Sequence, residues 1–375
     1  MTVIRRYSNS MLAEETQMKE SRVTLFIDDG LGGHHQTYLR GLIQAAGGRI
    51  IVCGPAGGEA LYPGIERYYT ISETGKSLKQ YLKLILSLIQ IVRREKPDIV
   101  HFVYGDAYYR FGGLGMRLIR GKRIVTWHQF RRCGRIAQFM YCAYAKTART
   151  VVLHTDQQLK TARAFGVSNA VHIEYPQFNL CSTINQADAR RRLDLPDDGT
   201  PVLLALGGTR RTKGLDLLLE ALRHVQAPFY LLVAGKEEDF HEEYIREASK
   251  EYAQRVFLKL RLLSEEEVDW CLKASDIVCL PYRRRFDGAS GPLGEGVYRG
   301  KLVVGPKHGS LGELIRDYHL GLNFEAENIE SLTAVLERAL TLQWQPDAKY
   351  REYQEQLNPG RFISDYARLY LTVEE

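Results

Sequence analysis

No stretch of this sequence approaches the roughly eighteen consecutive apolar residues of a membrane span. Residues 1–20, MTVIRRYSNSMLAEETQMKE, lack the apolar centre of a secretory signal, so neither a leader nor an anchor is expected and they read as an arm. Cysteine is sparse and scattered. Cys53, Cys133, Cys142, Cys181, Cys271 and Cys279 form no C-x-x-C pair, which argues against a zinc site or a disulfide framework and fits a reducing compartment. No G-x-G-x-x-G follows the first strand-like run, which disfavours a nicotinamide oxidoreductase. What remains is an ordinary globular composition: 375 residues, 45% hydrophobic and 26% charged, suffice for two domains with a core each. A cytoplasmic protein is expected.

The net charge of +6 conceals an asymmetry. Residues 1–180 hold 25 Lys and Arg against 13 Asp and Glu, whereas the remainder holds 26 against 32. Arg117, Arg120, Lys122, Arg123, Arg131, Arg132 and Arg135 concentrate the positive charge. Such a patch attracts anionic lipid headgroups or another polyanion, unless it is simply a solvated basic face.

Short runs rich in Val and Ile alternate with helical patterns. RVTLFIDD, GRIIVCGP, PDIVHFVYG, KRIVTWH and RTVVLHT are strand candidates in the first half, separated by segments such as HHQTYLRGLIQAA and LKQYLKLILSLIQIVRREK. PVLLALGG, FYLLVAG, RVFLKLRL, DIVCLPY and KLVVGPKHG repeat the pattern after residue 200. The spacing predicts two doubly wound α/β domains with parallel sheets. The segment PQFNLCSTINQADARRRLDLPDDGT, the least periodic, is expected to link them. Ligands of such sheets bind at the carboxyl ends of the strands, so a cleft between facing domains is the expected site.

The stretch LGGTRRTKGLDLLLEAL places two glycines and three cations, Arg210, Arg211 and Lys213, between an apolar run and an amphipathic one. A solvated loop is one reading; an anion grip at a helix N-terminus is the other. DGASGPLGE precedes a further helical pattern, KLVVGPKHGSLGELI carries a glycine turn with Glu313 four residues on, and GLGGHHQTYL and TWH mark the first half. Together, in this order, these segments resemble the retaining GT-B glycosyltransferases of family 4, over about residues 22–370. The resemblance implies two Rossmann-like domains facing across a cleft: residues 21–180 for the acceptor, residues 181–358 for the donor, and residues 359–375 as a helix packing back toward the first domain.

The resemblance also implies roles. Gly208, Arg210, Arg211 and Lys213 would hold the donor's diphosphate, where fixed positive charge is worth most as the departing phosphate gains negative charge. Glu295 would bond the ribose hydroxyls, unless it is only an acid favoured by the helix dipole. Asp287 stands where the family usually has Glu beside the sugar and reaches one methylene less. The backbone amides of Ala289, Ser290 and Gly291 would line the donor sugar hydroxyls, Pro292 and Leu293 would belong to the donor site, and Arg261 and Leu262 would meet the nucleobase. His128 would lie beside the transferred sugar and donate a hydrogen bond. Gly33 would bring backbone close to the diphosphate or the acceptor. His34 and His35 resemble a metal pair only superficially, with no third ligand evident, and read as loop residues contacting the acceptor. Tyr108 and Arg110 are further acceptor candidates, though tyrosines there serve ordinary packing equally well.

No Asp-x-Asp follows a strand, the arrangement by which other glycosyltransferases carry a divalent metal. The expectation is therefore no metal, no cofactor and no nucleic-acid partner. The expected function is transfer of a sugar, of hexosyltransferase type, from a UDP-sugar or else a GDP-sugar to a glycan or lipid-linked acceptor in polysaccharide or glycoconjugate assembly. It would take place in the cytoplasm, with peripheral contact at the inner membrane face. A non-catalytic partner subunit of the same fold, a nucleotide-sugar epimerase and a sugar phosphorylase are the alternatives.

Overall fold

The computed structural model describes residues 21–31, 34–71, 77–128, 130, 134–178, 181–286 and 290–373. The chain divides into two compact units, Met1–Tyr175 with Pro359–Glu375 (unit 1) and Pro176–Asn358 (unit 2).

Unit 1 is built on strands β1 (Val23–Ile27), β2 (Arg49–Gly54), β3 (Arg67–Thr70), β4 (Ile99–Phe102), β5 (Lys122–Trp127), β6 (Thr150–Leu153) and β7 (Ala170–His172). They lie in the order β3-β2-β1-β4-β5-β6-β7 and all pair in parallel. Val23 stands opposite Arg49 and Ile27 opposite Cys53; on the other side Thr24 faces Ile99. All five residues of β1 are buried, as an inner strand covered on both faces requires. The helix Leu78–Glu95 starts at a capping box formed by Ser77 and Gln80 and buries Tyr81, Leu84, Ile85, Leu88 and Val92. It stops at Lys96, in the left-handed region at φ 49°, just before Pro97.

The helix Pro359–Thr372 belongs to unit 1, with Phe362, Tyr366 and Tyr370 buried. A polar chain fixes it there. The Tyr38 and Tyr366 hydroxyls lie 2.7 Å apart, Tyr366 is 3.2 Å from Thr126 Oγ1, and His101 bonds Thr126 and Tyr370, each at 2.8 Å. Burial pushes the His101 pKa down to about 3, so the ring is neutral within this chain.

Unit 2 contains β8 (Val202–Leu206), β9 (Tyr230–Ala234), β10 (Val256–Lys259), β11 (Ile277–Cys279), β12 (Leu302–Pro306) and β13 (Gly321–Phe324). Their order is β10-β9-β8-β11-β12-β13, again parallel throughout. Both sheets reverse their winding next to the first strand of the unit, at β1/β4 and at β8/β11. Ligands of open α/β sheets bind outside the strand ends at such a reversal.

The structure adds three strands to those read from sequence, β3, β7 and β13. Each is an edge strand, short and only partly buried, so it needs no continuous apolar run. The expected linker also differs. Its residues Gln186–Arg192 form a helix, N-capped by Asn185, with Ala189 and Arg190 buried in unit 2. Arg190 is held by Asp276 at 2.8 Å, and Ala189, Leu193 and Leu195 join the core of unit 2.

Candidate functional site

In unit 2 the reversal places the loop after β8 at the strand ends. Gly207 takes φ 107° and Gly214 φ 65°, conformations that side chains resist, and between them Arg211–Lys213 make one tight helical turn. The chain then enters the helix Leu215–Leu222. Gly207 also leaves room for a neighbouring side chain. A Cβ there would run into the Lys213 ammonium, and one on Gly235 would strike the Gly207 backbone.

The three cations of this loop are not equivalent. Arg210 is engaged by Glu238, Nε to Oε2 at 2.6 Å and Nη2 to Oε1 at 3.2 Å. Arg211 uses only its backbone, donating from N to Asp239 at 2.7 Å and accepting from Arg283 Nε at 3.0 Å; its guanidinium makes no hydrogen bond or ion pair among the described residues. Lys213 is half-buried and also makes neither. Burial foremost, and then the charge of Arg210, lower its pKa against the opposing pull of Glu238. A half-buried ammonium without an anionic partner is an unsatisfied charge. Glu238 thus occupies the fork of Arg210, while the side chains of Arg211 and Lys213 are open among the described residues.

The helix Gly291–Tyr298 begins at Ser290, whose Oγ accepts from the Leu293 amide at 3.3 Å, with Pro292 in the first turn. Tyr282 holds the same hydroxyl at 3.2 Å. Leu293 points into the core, so at that position only backbone is left to meet a ligand. Glu295 sits in a buried ion chain: Arg299 Nη1 lies 2.6 Å from its Oε2, and Arg299 Nε lies 2.7 Å from Asp269. Arg261 is tied to Glu267, the acid of the next capping box, while the Leu262 side chain is 82% exposed. Asp287 lies outside the described residues.

In unit 1 the strand ends at β1/β4 carry a cluster that the sequence reading missed. Asp28, 1% exposed, takes a bond from the Gly30 amide at 3.1 Å and holds His35 Nδ1 at 2.6 Å. Its other oxygen is buried and has no partner among the described residues. A side chain on Gly30 would occupy the place of the His35 ring. With Asp29 these residues bring one ligand atom each within 4.8 Å of one another, a grouping able to hold a metal ion. The expectation that His35 lacks further ligands is therefore corrected: they come from the end of β1, not from a neighbouring histidine. Burial and the charge of Asp28 push Asp29 up to about 6. Burial works against a charged His35, but the bond to Asp28 and the surrounding carboxylates outweigh it and raise its pKa.

His35 stacks on Tyr104 at 3.7 Å, and Tyr104 on His128 at 3.9 Å. His128 Nε2 lies 3.0 Å from the Val103 carbonyl, which can only accept, so the ring hydrogen is there. Burial and the nearby His154 hold the His128 pKa well below the ordinary value, which keeps the ring neutral. With its hydrogen on Nε2, the ring leaves Nδ1 as an acceptor. Tyr108 is 2% exposed, packed with Phe102 and Tyr81, and does not present its side chain to an acceptor; Arg110 is exposed. Gly33 lies outside the described residues; His34 begins the helix His34–Ala46.

Residues 186–357 match the family model described as glycosyl transferases group 1. That segment, a little under half of the chain, is what resembles the family. Among curated proteins, the chain is 26% identical over 192 residues to a glycogen synthase of Pseudomonas syringae, covering 50% of this chain and 39% of that protein. It is 27% identical over 180 residues to a glycogen synthase of Lactiplantibacillus plantarum, covering 46% and 37%. The chain thus spans about two fifths of the length of these relatives. Among solved structures, sucrose-phosphate synthase from Thermosynechococcus elongatus aligns with a TM-score of 0.73 at 17% identity, covering 94% of this chain and 99% of that one. An Anabaena protein, HepE, in complex with UDP and glucose aligns at 0.62 and 16%, covering 94% and 97%. The fold is GT-B, two parallel-sheet α/β units.

The matched segment contains Gly208, Arg210, Arg211, Lys213, Arg261, Leu262, Asp287, Ser290, Gly291, Pro292, Leu293 and Glu295, whereas His128, His35 and Arg110 belong to unit 1. Glu238, also in that segment, escaped the sequence reading. Its signal was available in KEED, a run of acids directly after a strand ending in glycine.

Proposed function

We propose that the chain transfers a sugar from a nucleotide diphosphate sugar to a glycan or lipid-linked acceptor, with retention of anomeric configuration and without a metal ion at the diphosphate. The observation that carries this reading is Lys213, a half-buried cation with no ion pair among the described residues, held over the bare Gly207 at the strand ends of unit 2. A diphosphate supplies the missing anion. Arg211 adds a planar fork, and the amides of the loop and of the following helix start add donors. As the bond from the anomeric carbon to the phosphate oxygen breaks, its electron pair goes to the diphosphate, and these groups meet the growing charge. Glu295, fixed by Arg299, is the ribose partner in this reading, and the exposed Leu262 covers one face of the base.

UDP is the favoured nucleotide; one structural relative was solved with UDP and glucose, and another with ADP. Ligand-induced thermal stabilisation with UDP, GDP and ADP in EDTA tests the reading, on the wild type and on Lys213→Ala. At about a hundredfold above the dissociation constant, a bound nucleotide stabilises by roughly 2.7 kcal/mol. A strong shift for one nucleotide, lost in Lys213→Ala, is expected. No shift with any nucleotide would leave the loop without an anionic ligand and favour a non-catalytic subunit.

A further inference from the structure

Unit 1 leaves a group of large apolar side chains in water, and they adjoin one another. Leu82 and Leu86 on the helix Leu78–Glu95, Leu114 and Leu118 in the segment before β5, and Phe139 on the helix Arg135–Ala145 line one groove of about 830 Å³. Their exposures run from 40% for Leu82 to 70% for Phe139, and Ile136, one turn before Phe139, reaches 82%. None of this surface serves the core. The helix Leu78–Glu95 already buries a complete face, and Leu78, Leu82 and Leu86 form a second apolar stripe at four-residue spacing. Contiguous exposed apolar surface marks a contact site.

The charge around the groove is of one sign. Residues 107–155 contain ten Lys and Arg and neither Asp nor Glu. Arg117 and Lys146 line the groove itself. Both are exposed, as are Arg120 and Arg135, and none of the four makes an ion pair among the described residues. Arg123 shows what a structural cation does instead: it is half-buried and donates to the carbonyls of Thr147 and Ile119.

We propose that this face docks on an anionic lipid bilayer, with Leu82, Leu86, Leu118 and Phe139 entering the boundary between headgroups and acyl chains and Arg117, Lys146 and their neighbours meeting lipid phosphates. Stable peripheral binding takes two signals, an apolar insertion and a polybasic attraction, and the groove supplies both. The one-sided charge opposes a second copy of the same face, which would bring like charges together. The apolar residues are aliphatic with a single Phe. The Trp and Tyr that dominate the binding energy of protein interfaces are absent from this lining. The proposal does not depend on the reaction in unit 2.

Flotation of the full chain with vesicles tests it, comparing phosphatidylcholine alone with phosphatidylcholine containing phosphatidylglycerol, at low and high salt. The expected result is binding to the anionic vesicles only, weakened by salt. Leu86→Ser with Phe139→Ser, which leaves the charge untouched and removes only exposed side chains, should weaken binding at least tenfold. Arg117→Gln with Lys146→Gln should weaken it about fivefold per cation, the equivalent of about 1 kcal/mol each, and flatten the salt dependence. Unaltered thermal unfolding of both variants keeps the comparison one of binding. Absence of vesicle binding by the wild type overturns the proposal. So does binding that is indifferent to the apolar pair, or a concentration-dependent dimer that the apolar pair dissolves.

Discussion

The ammonium of Lys213 lies against Gly207, in the space that a side chain at position 207 would fill. The glycine does two things at once: it takes a φ of 107° and it makes room for the cation. Lys213→Ala should therefore weaken nucleotide diphosphate binding about ten- to a hundredfold, the range of a charge-assisted hydrogen bond worth about 1.5–3 kcal/mol. Gly207→Ala should do at least as much harm, because it strains the backbone and displaces the ammonium. Calorimetric titration of the nucleotide checks both; unchanged affinity in either variant would remove the loop from the binding site.

Arg210 and Arg211 are adjacent in sequence but differ in what they hold. With Arg210 spent on Glu238 and Arg211 open, Arg211→Ala should cost about tenfold in nucleotide affinity and Arg210→Ala less than about threefold. Glu238→Gln, by freeing Arg210, should tighten binding. The reverse order in the same titrations would mean that the donor displaces Glu238.

His35 should titrate above the ordinary value of 6.5 by NMR, and Asp28→Asn should lower it, since only the charges of Asp29 and Asp106 would then oppose burial. The linkage has a definite sign. A histidine whose folded pKa is raised contributes stability below its unfolded value and loses it as pH rises through the folded one. Asp29, moved from 3.8 to about 6, acts in the same direction, its contribution fading as pH rises through about 6. Unit 1 should accordingly lose stability as pH rises from about 4 through about 6 by way of Asp29, and further as it rises through the raised folded value of His35; Asp28→Asn should flatten the upper part of that slope in unfolding experiments run across pH.

Arg299 lies between two buried carboxylates, Glu295 and Asp269. Arg299→Met would remove the cation that pairs with both, and a broken buried pair costs about 3–5 kcal/mol. Urea denaturation of the variant should show a loss of that size. A loss under about 1 kcal/mol would mean that the charges find water.

Strand alternation, the glycine turns and the cation loop were readable in the linear chain because each is local. A buried inner strand has to be apolar whatever its neighbours are, and a backbone at positive φ calls for glycine. The edge strands β3, β7 and β13 were not readable, since half of an edge faces water and demands no pattern. Nor was the carboxylate cluster of unit 1. Asp28 and His35 are seven residues apart and meet only because β1 ends where the helix His34–Ala46 begins.

By itself, then, the sequence determined the α/β class, the two parallel sheets and the place where positive charge meets a helix start, all of which follow from composition and short-range spacing. Tertiary structure alone decided which cation is free, because Glu238 reaches Arg210 across 28 residues. It also decided that His128 spends its hydrogen on Val103, and that the leucines of two segments and the Phe139 of a third form one apolar face beside a one-signed field of charge. Those are pairings between distant residues, and the energy that selects among them exists only once the chain has folded.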